Sequence, residues 1–121
     1  MGESINPTQY SPLVLAYLGD AVYEQIIRER LVREGNRQVQ KLHKEATKYV
    51  SAGAQANKVD SIMDRLTDEE LAIFKRGRNA TAHAAPKNQD VIAYRKSTGF
   101  EAVIGWLYLK GDKERILELV E

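Results

Sequence analysis

From Phe100 to Leu109 every residue except Glu101 is apolar, aromatic or glycine (Phe-Glu-Ala-Val-Ile-Gly-Trp-Leu-Tyr-Leu). A helix that is apolar all round has no face to offer water and belongs in the middle of a fold. The stretch therefore demands enough other helices to surround it. It also isolates one carboxylate. An unpaired buried carboxylate is costly, so Glu101 should be protonated, paired or bound to a cation. Asp20 has the same problem, because it follows six consecutive non-polar residues and Gly19 and precedes Ala21 and Val22.

The simplest joint solution is that the two helices pack together and that Asp20 and Glu101 share a cation. The alternative is that each carboxylate finds an arginine or lysine, or reaches solvent at the end of a groove. Two glycines favour the crossing. Gly19 adjoins Asp20, and Gly105 lies one turn beyond Glu101 on the same face. Glycine inside a helix costs roughly 1 kcal/mol relative to alanine, and close approach of another backbone is a reason to tolerate it.

The surrounding pattern is helical. Ser11-Pro12 is a helix start, with serine as N-cap and proline at the first helical position. This helix is expected over Pro12 to Glu34, where Gly35-Asn36 stops it. Val39, Leu42, Ala46, Tyr49 and Val50 recur at helical steps in a second helix beginning near Arg37. Ser51 can cap a third, with Ala52, Ala54, Ala56, Val59, Ile62 and Leu66 among its buried residues. Thr67-Asp-Glu-Glu70 is a capping box that opens a fourth helix, Asp68 to Arg78. Asn79 to Asn88 reads as an exposed loop, Gln89 to Lys96 as a short helix, and Thr98 to Lys110 as the buried helix. Gly111-Asp112 then introduces a last helix, Lys113 to Val120, with Ile116, Leu117 and Val120 inward. No sustained period-two run occurs, so the fold class is all-α. Residues 1–10 are expected to form a loose lead-in and residues 11–121 one domain.

The chain has 121 residues and no cysteine, which excludes disulfides and thiolate metal sites. No apolar run is long enough for a membrane span, and Met1-Gly-Glu-Ser-Ile-Asn lacks a signal-peptide pattern. A cytoplasmic location is the expectation. Net charge is only +1, but it is unevenly spread. Residues 75–96 carry Lys75, Arg76, Arg78, Lys87, Arg95 and Lys96 against Asp90 alone. Residues 37–58 carry five basic residues against Glu45. Such stretches are either anion or nucleic-acid footprints or solvated helix faces.

His43 and His83 are far apart and form no metal-ligand spacing, so both read as surface residues. Gly77 stands alone between Arg76 and Arg78, so there is no glycine-rich phosphate loop, and no serine or threonine has a base beside it. Carboxylate chemistry remains. Oxygen-only ligands suit Mg²⁺ or Mn²⁺, and such an ion next to basic stretches points to cleavage of a phosphodiester.

At this point a family resemblance appears. Leu15-Ala-Tyr-Leu-Gly-Asp20-Ala-Val resembles the signature helix of the ribonuclease III endonuclease domain. Phe100-Glu101-Ala-Val-Ile-Gly105-Trp-Leu-Tyr-Leu109 resembles that domain's second motif, in the right order and at roughly the right separation. Lys75-Arg76-Gly77-Arg78-Asn79-Ala80, Pro86-Lys87-Asn88 and Tyr94-Arg95-x-Ser97-Thr98 make the chain similar to the Mini-ribonuclease III family in particular, over about residues 11–120. Members consist of the endonuclease domain alone, and no room is expected here for an appended double-stranded-RNA-binding domain. The resemblance implies a homodimer of all-α subunits that cleaves double-stranded RNA and leaves 5′-phosphate and 3′-hydroxyl ends. It also implies maturation of the ends of precursor large-subunit ribosomal RNA. Asp20 and Glu101 would be the metal-binding catalytic residues, with Mg²⁺ as the ion and Mn²⁺ as a substitute. Arg76, Arg78 and Lys87 would hold RNA phosphates. A subunit interface including Tyr17 is expected, and a ribosomal protein presenting the RNA is a candidate partner.

The resemblance is incomplete at the acidic positions. The family signature's two glutamates fall on Leu13 and Ala16, and the second motif's aspartate falls on Thr98. Glu24, one turn beyond Asp20, is the nearest further carboxylate. Three rival readings stand beside the nuclease: a helical nucleotide pyrophosphohydrolase, a non-catalytic RNA-binding relative and a plain helical interaction module. The first lacks its usual Glu-x-x-Glu pair here, since Asp68 and Glu70 are capping residues. The second leaves Asp20 and Glu101 as an idle cost.

Overall fold

A computed structural model of the chain describes residues 5–80 and 90–121. The described residues form six α-helices and no strand: α1 (Pro12–Glu34), α2 (Val39–Val50), α3 (Ala52–Ile62), α4 (Asp68–Ala80), α5 (Val91–Leu109) and α6 (Lys113–Val120). None of these helices is long and apolar enough to cross a membrane.

As the apolar run requires, α5 is the central element. Ser97 through Leu107 are all buried except Glu101, and α1, α3, α4 and α6 pack around it. Its long partner α1 buries Leu15, Ala16, Gly19, Val22, Tyr23, Ile27 and Leu31, one stripe at three- and four-residue spacing. The Tyr23 ring meets Phe100 edge-on at 5.1 Å between centroids. Phe74 of α4 and Ile62 of α3 complete the core around the same helix.

The short helix expected before the buried one is instead its first two turns. Asp90 caps the combined helix through Oδ1, which accepts from the amides of Ile92 and Ala93. Ser97-Thr98-Gly99 resembles a break in sequence, but both hydroxyls donate back to the Tyr94 carbonyl, at 2.9 and 3.1 Å, and the helix runs through. Gly99 is there for packing. A Cβ on it would stand 2.7 Å from the Phe74 carbonyl oxygen, and one on Gly77 would stand 3.0 Å from Gly99 Cα. The glycine between Arg76 and Arg78 is thus half of a close α4–α5 contact.

Three further expectations are corrected. Asn79 and Ala80 belong to α4, and the rest of the expected loop, with His83 and Lys87, lies outside the described residues. Leu117 is 43% exposed, and Ile116, Leu119 and Val120 form the inward face of α6. The lead-in is docked over residues 5–10. Pro7–Gln9 form a 3-10 turn, Trp106 Nε1 donates to Thr8 Oγ1 at 3.1 Å, and Arg76 donates to the carbonyls of Thr8 and Tyr10 at 2.9 and 3.1 Å.

The capping box forms as expected, with Thr67 and Glu70 exchanging backbone-to-side-chain bonds of 2.9 and 3.1 Å. Glu70 also does something its sequence context does not reveal. It is 2% exposed and receives the Arg115 guanidinium as a fork at 2.8 and 2.9 Å, which ties α6 to α4. Burial raises its pKa, but the bonds from Arg115 and Thr67 outweigh that and hold the carboxyl below the usual glutamate range.

Candidate active site

The α1–α5 crossing is made by glycine on both sides. A Cβ on Gly19 would overlap the Glu101 carbonyl oxygen, and one on Gly105 would overlap the Leu15 carbonyl oxygen. The two backbones touch where their carboxylates emerge, and the Asp20 carboxyl comes within hydrogen-bonding reach of Glu101. The lone acids of the two apolar stretches are therefore neighbours. Neither forms an ion pair with an arginine or lysine among the described residues.

Their environments differ. Asp20 is exposed, whereas Glu101 is partly buried. Burial first, then the hydrogen bond and negative charge of Asp20, push the Glu101 carboxyl up to about 8. Glu24 adds to that field from one turn further along α1, although its own carboxylate faces Arg28 at 3.3 Å. One neighbour acts the other way. Gln55 of α3 donates from Nε2 to Glu101 Oε2 at 3.3 Å and favours the charged form.

Gln55 is the site residue that the sequence reading missed. Its surroundings, Ala-Gly-Ala-Gln-Ala-Asn, read as small-residue helix filler. Yet Gln55 is 1% exposed, and nothing in its sequence surroundings signals that burial. Its Nε2 also donates to the Val50 carbonyl at 3.1 Å. Both amide protons are thereby used, and Oε1 is left buried without a donor.

The acid pair fits a hard divalent cation. Its donors are all oxygen, and burial beside Asp20 raises the Glu101 pKa, so a cation there would offset negative charge that the site holds poorly. No group of three or more acidic, histidine or cysteine ligands occurs among the described residues. Two carboxylates and retained waters are an ordinary Mg²⁺ environment. At the position of the family's second-motif aspartate, the Thr98 hydroxyl is committed to the Tyr94 carbonyl. Ala16 is buried, and Leu13 is half-exposed and apolar.

The basic residues are distributed less simply than their sequence clustering implies. Arg76 and Arg78 flank Gly77, at the turn of α4 that packs on Thr98, Gly99 and Ala102. Arg76 holds the lead-in, while the Arg78 guanidinium lies 5.9 Å from the centre of the Phe74 ring. Lys96 pairs with Asp60 at 2.8 Å, Lys48 with Glu45 at 3.0 Å, and Lys58 donates to the Glu121 carbonyl at 2.7 Å. Much of the local positive balance is thus spent on structure.

This all-α domain, with one acid from each of two crossing helices, is of the ribonuclease III class: residues 13–112 match the Ribonuclease III domain family. A protein called Mini-ribonuclease 3 in Symbiobacterium thermophilum is 49% identical over 116 residues, covering 96% of this chain and 89% of that one. Its counterpart of the same name in Brevibacillus brevis is 50% identical, with 96% and 87% covered. A crystal structure of a Fusobacterium nucleatum protein superposes with a TM-score of 0.87 at 32% identity, covering 97% of this chain and 93% of the other. The chain belongs to the Mini-ribonuclease III family within the ribonuclease III domain superfamily and is an endoribonuclease.

Proposed function

We propose that this endoribonuclease is Mg²⁺-dependent, with Mn²⁺ as a substitute, and cleaves double-stranded RNA as a cytoplasmic homodimer. The observation that carries the reading is the Asp20–Glu101 pair, two acids held together by a backbone-to-backbone crossing and lacking a basic partner among the described residues. Asp20 and Glu101 would hold the ion, and Glu101 would release its proton on loading. A cation bound there lowers the pKa of a water and offsets charge on a phosphoryl oxygen. Asp20, on the exposed side, faces the approach of the RNA. Arg78 and Lys87 hold the phosphate backbone, as does Arg76 through the N–H groups it does not give to the lead-in. Such contacts position a duplex and carry little sequence information, so binding falls steeply with salt. The products would carry 5′-phosphates and 3′-hydroxyls.

An exposed apolar stripe on α1, made of Leu13, Val14 and Tyr17, supports the dimer. Maturation of precursor large-subunit ribosomal RNA is the physiological role that the family resemblance supports. A ribosomal protein that presents the RNA would supplement weak intrinsic affinity.

The test is cleavage of a labelled RNA duplex with Mg²⁺, with EDTA, and by the Asp20→Asn and Glu101→Gln proteins. Staggered products from the wild type with Mg²⁺ alone, lost in both variants, are expected. Duplex binding without cleavage at every metal concentration would instead make the chain an RNA-binding scaffold.

A further inference from the structure

Three helices, not two, converge on the acid pair. Gln55 reaches Glu101 from α3, at the fourth position of that helix, where its own amide is fixed by the Ser51 carbonyl at 2.9 Å. The side chain can take only one orientation. Val50 offers only its carbonyl, an acceptor, so the NH₂ group must face it, and the same nitrogen reaches Glu101 Oε2. Reversing the amide would set its oxygen against the Val50 carbonyl oxygen. In the orientation that remains, Oε1 is the only buried side-chain oxygen among the described residues without a donor.

We propose, building on the metal-dependent reading above, that Gln55 is a positioning residue of the cation site. Its Nε2 holds the Glu101 carboxylate turned toward Asp20. Outer-shell partners of this kind orient ligands and tune affinity, and their loss typically costs about 10–100-fold in metal affinity or activity.

The experiment is Mn²⁺ titration by calorimetry of the wild type, Gln55→Leu and Gln55→Met, each checked for folding by circular dichroism and for duplex binding in EDTA. Both replacements keep the volume and remove donor and acceptor together. Mn²⁺ affinity is expected to fall about 10–100-fold, kcat for duplex cleavage to fall with it, and divalent-free duplex affinity to stay within twofold. Mn²⁺ affinity within twofold of wild type in either folded variant overturns the proposal. Loss of the fold in both also overturns it, by assigning the amide to the core. Failure of the underlying reading looks different, because Mn²⁺ binding would then persist unchanged in Asp20→Asn and Glu101→Gln.

Discussion

Gly19 and Gly105 lie against each other at the α1–α5 crossing. A Cβ on Gly19 would stand 2.8 Å from the Gly105 amide nitrogen, and one on Gly105 would stand 3.1 Å from that of Gly19. The nearest obstacles are backbone atoms, which cannot rotate away as a side chain would. Gly19→Ala must therefore separate the two longest helices, and a loss of about 3 kcal/mol or more is expected in thermal or urea unfolding. Gly53 is the internal control. Nothing lies within 4 Å of a Cβ placed there, so Gly53→Ala should stabilise by roughly 0.5–1 kcal/mol. Equal effects at the two positions would contradict the packing described.

Glu101 makes the metal-free protein sensitive to pH in an unusual direction. Its native pKa of about 8 lies above the ordinary 4.5 of a glutamate, with burial the main cause. Between those values the native state keeps a proton that the unfolded chain has released. Stability therefore falls as pH rises through the window, and the contribution is whole below 4.5 and gone above about 8. Glu101→Gln lacks this dependence. In EDTA, urea melts of the wild type should lose on the order of 2–4 kcal/mol relative to the variant across the window. Parallel pH profiles for the two proteins would show that Glu101 titrates normally.

The Glu70–Arg115 fork acts at the opposite end of the pH scale. Glu70 is held below the usual range, so its contribution is present above the ordinary glutamate pKa and fades as pH drops through the depressed value. At neutral pH, Arg115→Ala leaves a carboxylate whose side chain is only 3% exposed without its partner. A cost of about 3–5 kcal/mol is expected. A Glu70→Leu/Arg115→Leu double variant should recover much of it. If the single and double variants melt alike, the pair does not lock α6 in place.

Tyr17 is 84% exposed, with Val14 at 51% and Leu13 at 43% on the same helix. If this stripe joins two copies, as proposed above, Tyr17→Glu places a charge in the joint. Sedimentation velocity should then show a dimer for the wild type and monomers for the variant. Dimers from both would move the interface elsewhere.

Much of the fold was legible because its cues are local. Ser11-Pro12, Gly35 and the Thr67–Glu70 box mark helix ends through chemistry that acts within a few residues, and the observed ends of α1 and α6 coincide with the expected ones. The Gly19–Gly105 crossing could be read because each glycine sat beside an isolated acid. Ser97-Thr98-Gly99 misled because the same residue types serve as caps or as in-helix bonds and packing, and only Phe74 of α4 decides which. Arg76 and Gln55 were opaque for a related reason. Their partners, Thr8 and Tyr10 for one and Glu101 for the other, are distant in sequence, and neither side chain announces its direction.

The glycine crossing also bears on how this enzyme can be altered. Because main chain meets main chain there, the gap between the two acids is not set by the size of any side chain. Core substitutions elsewhere can change stability by graded amounts without grading that gap, which is either kept or lost with the fold. For an engineer or natural selection altering the proposed cation site, the spacing of the pair is fixed by the backbone. The adjustable parts are the groups that surround the pair, and Gln55 on α3 is the nearest of them.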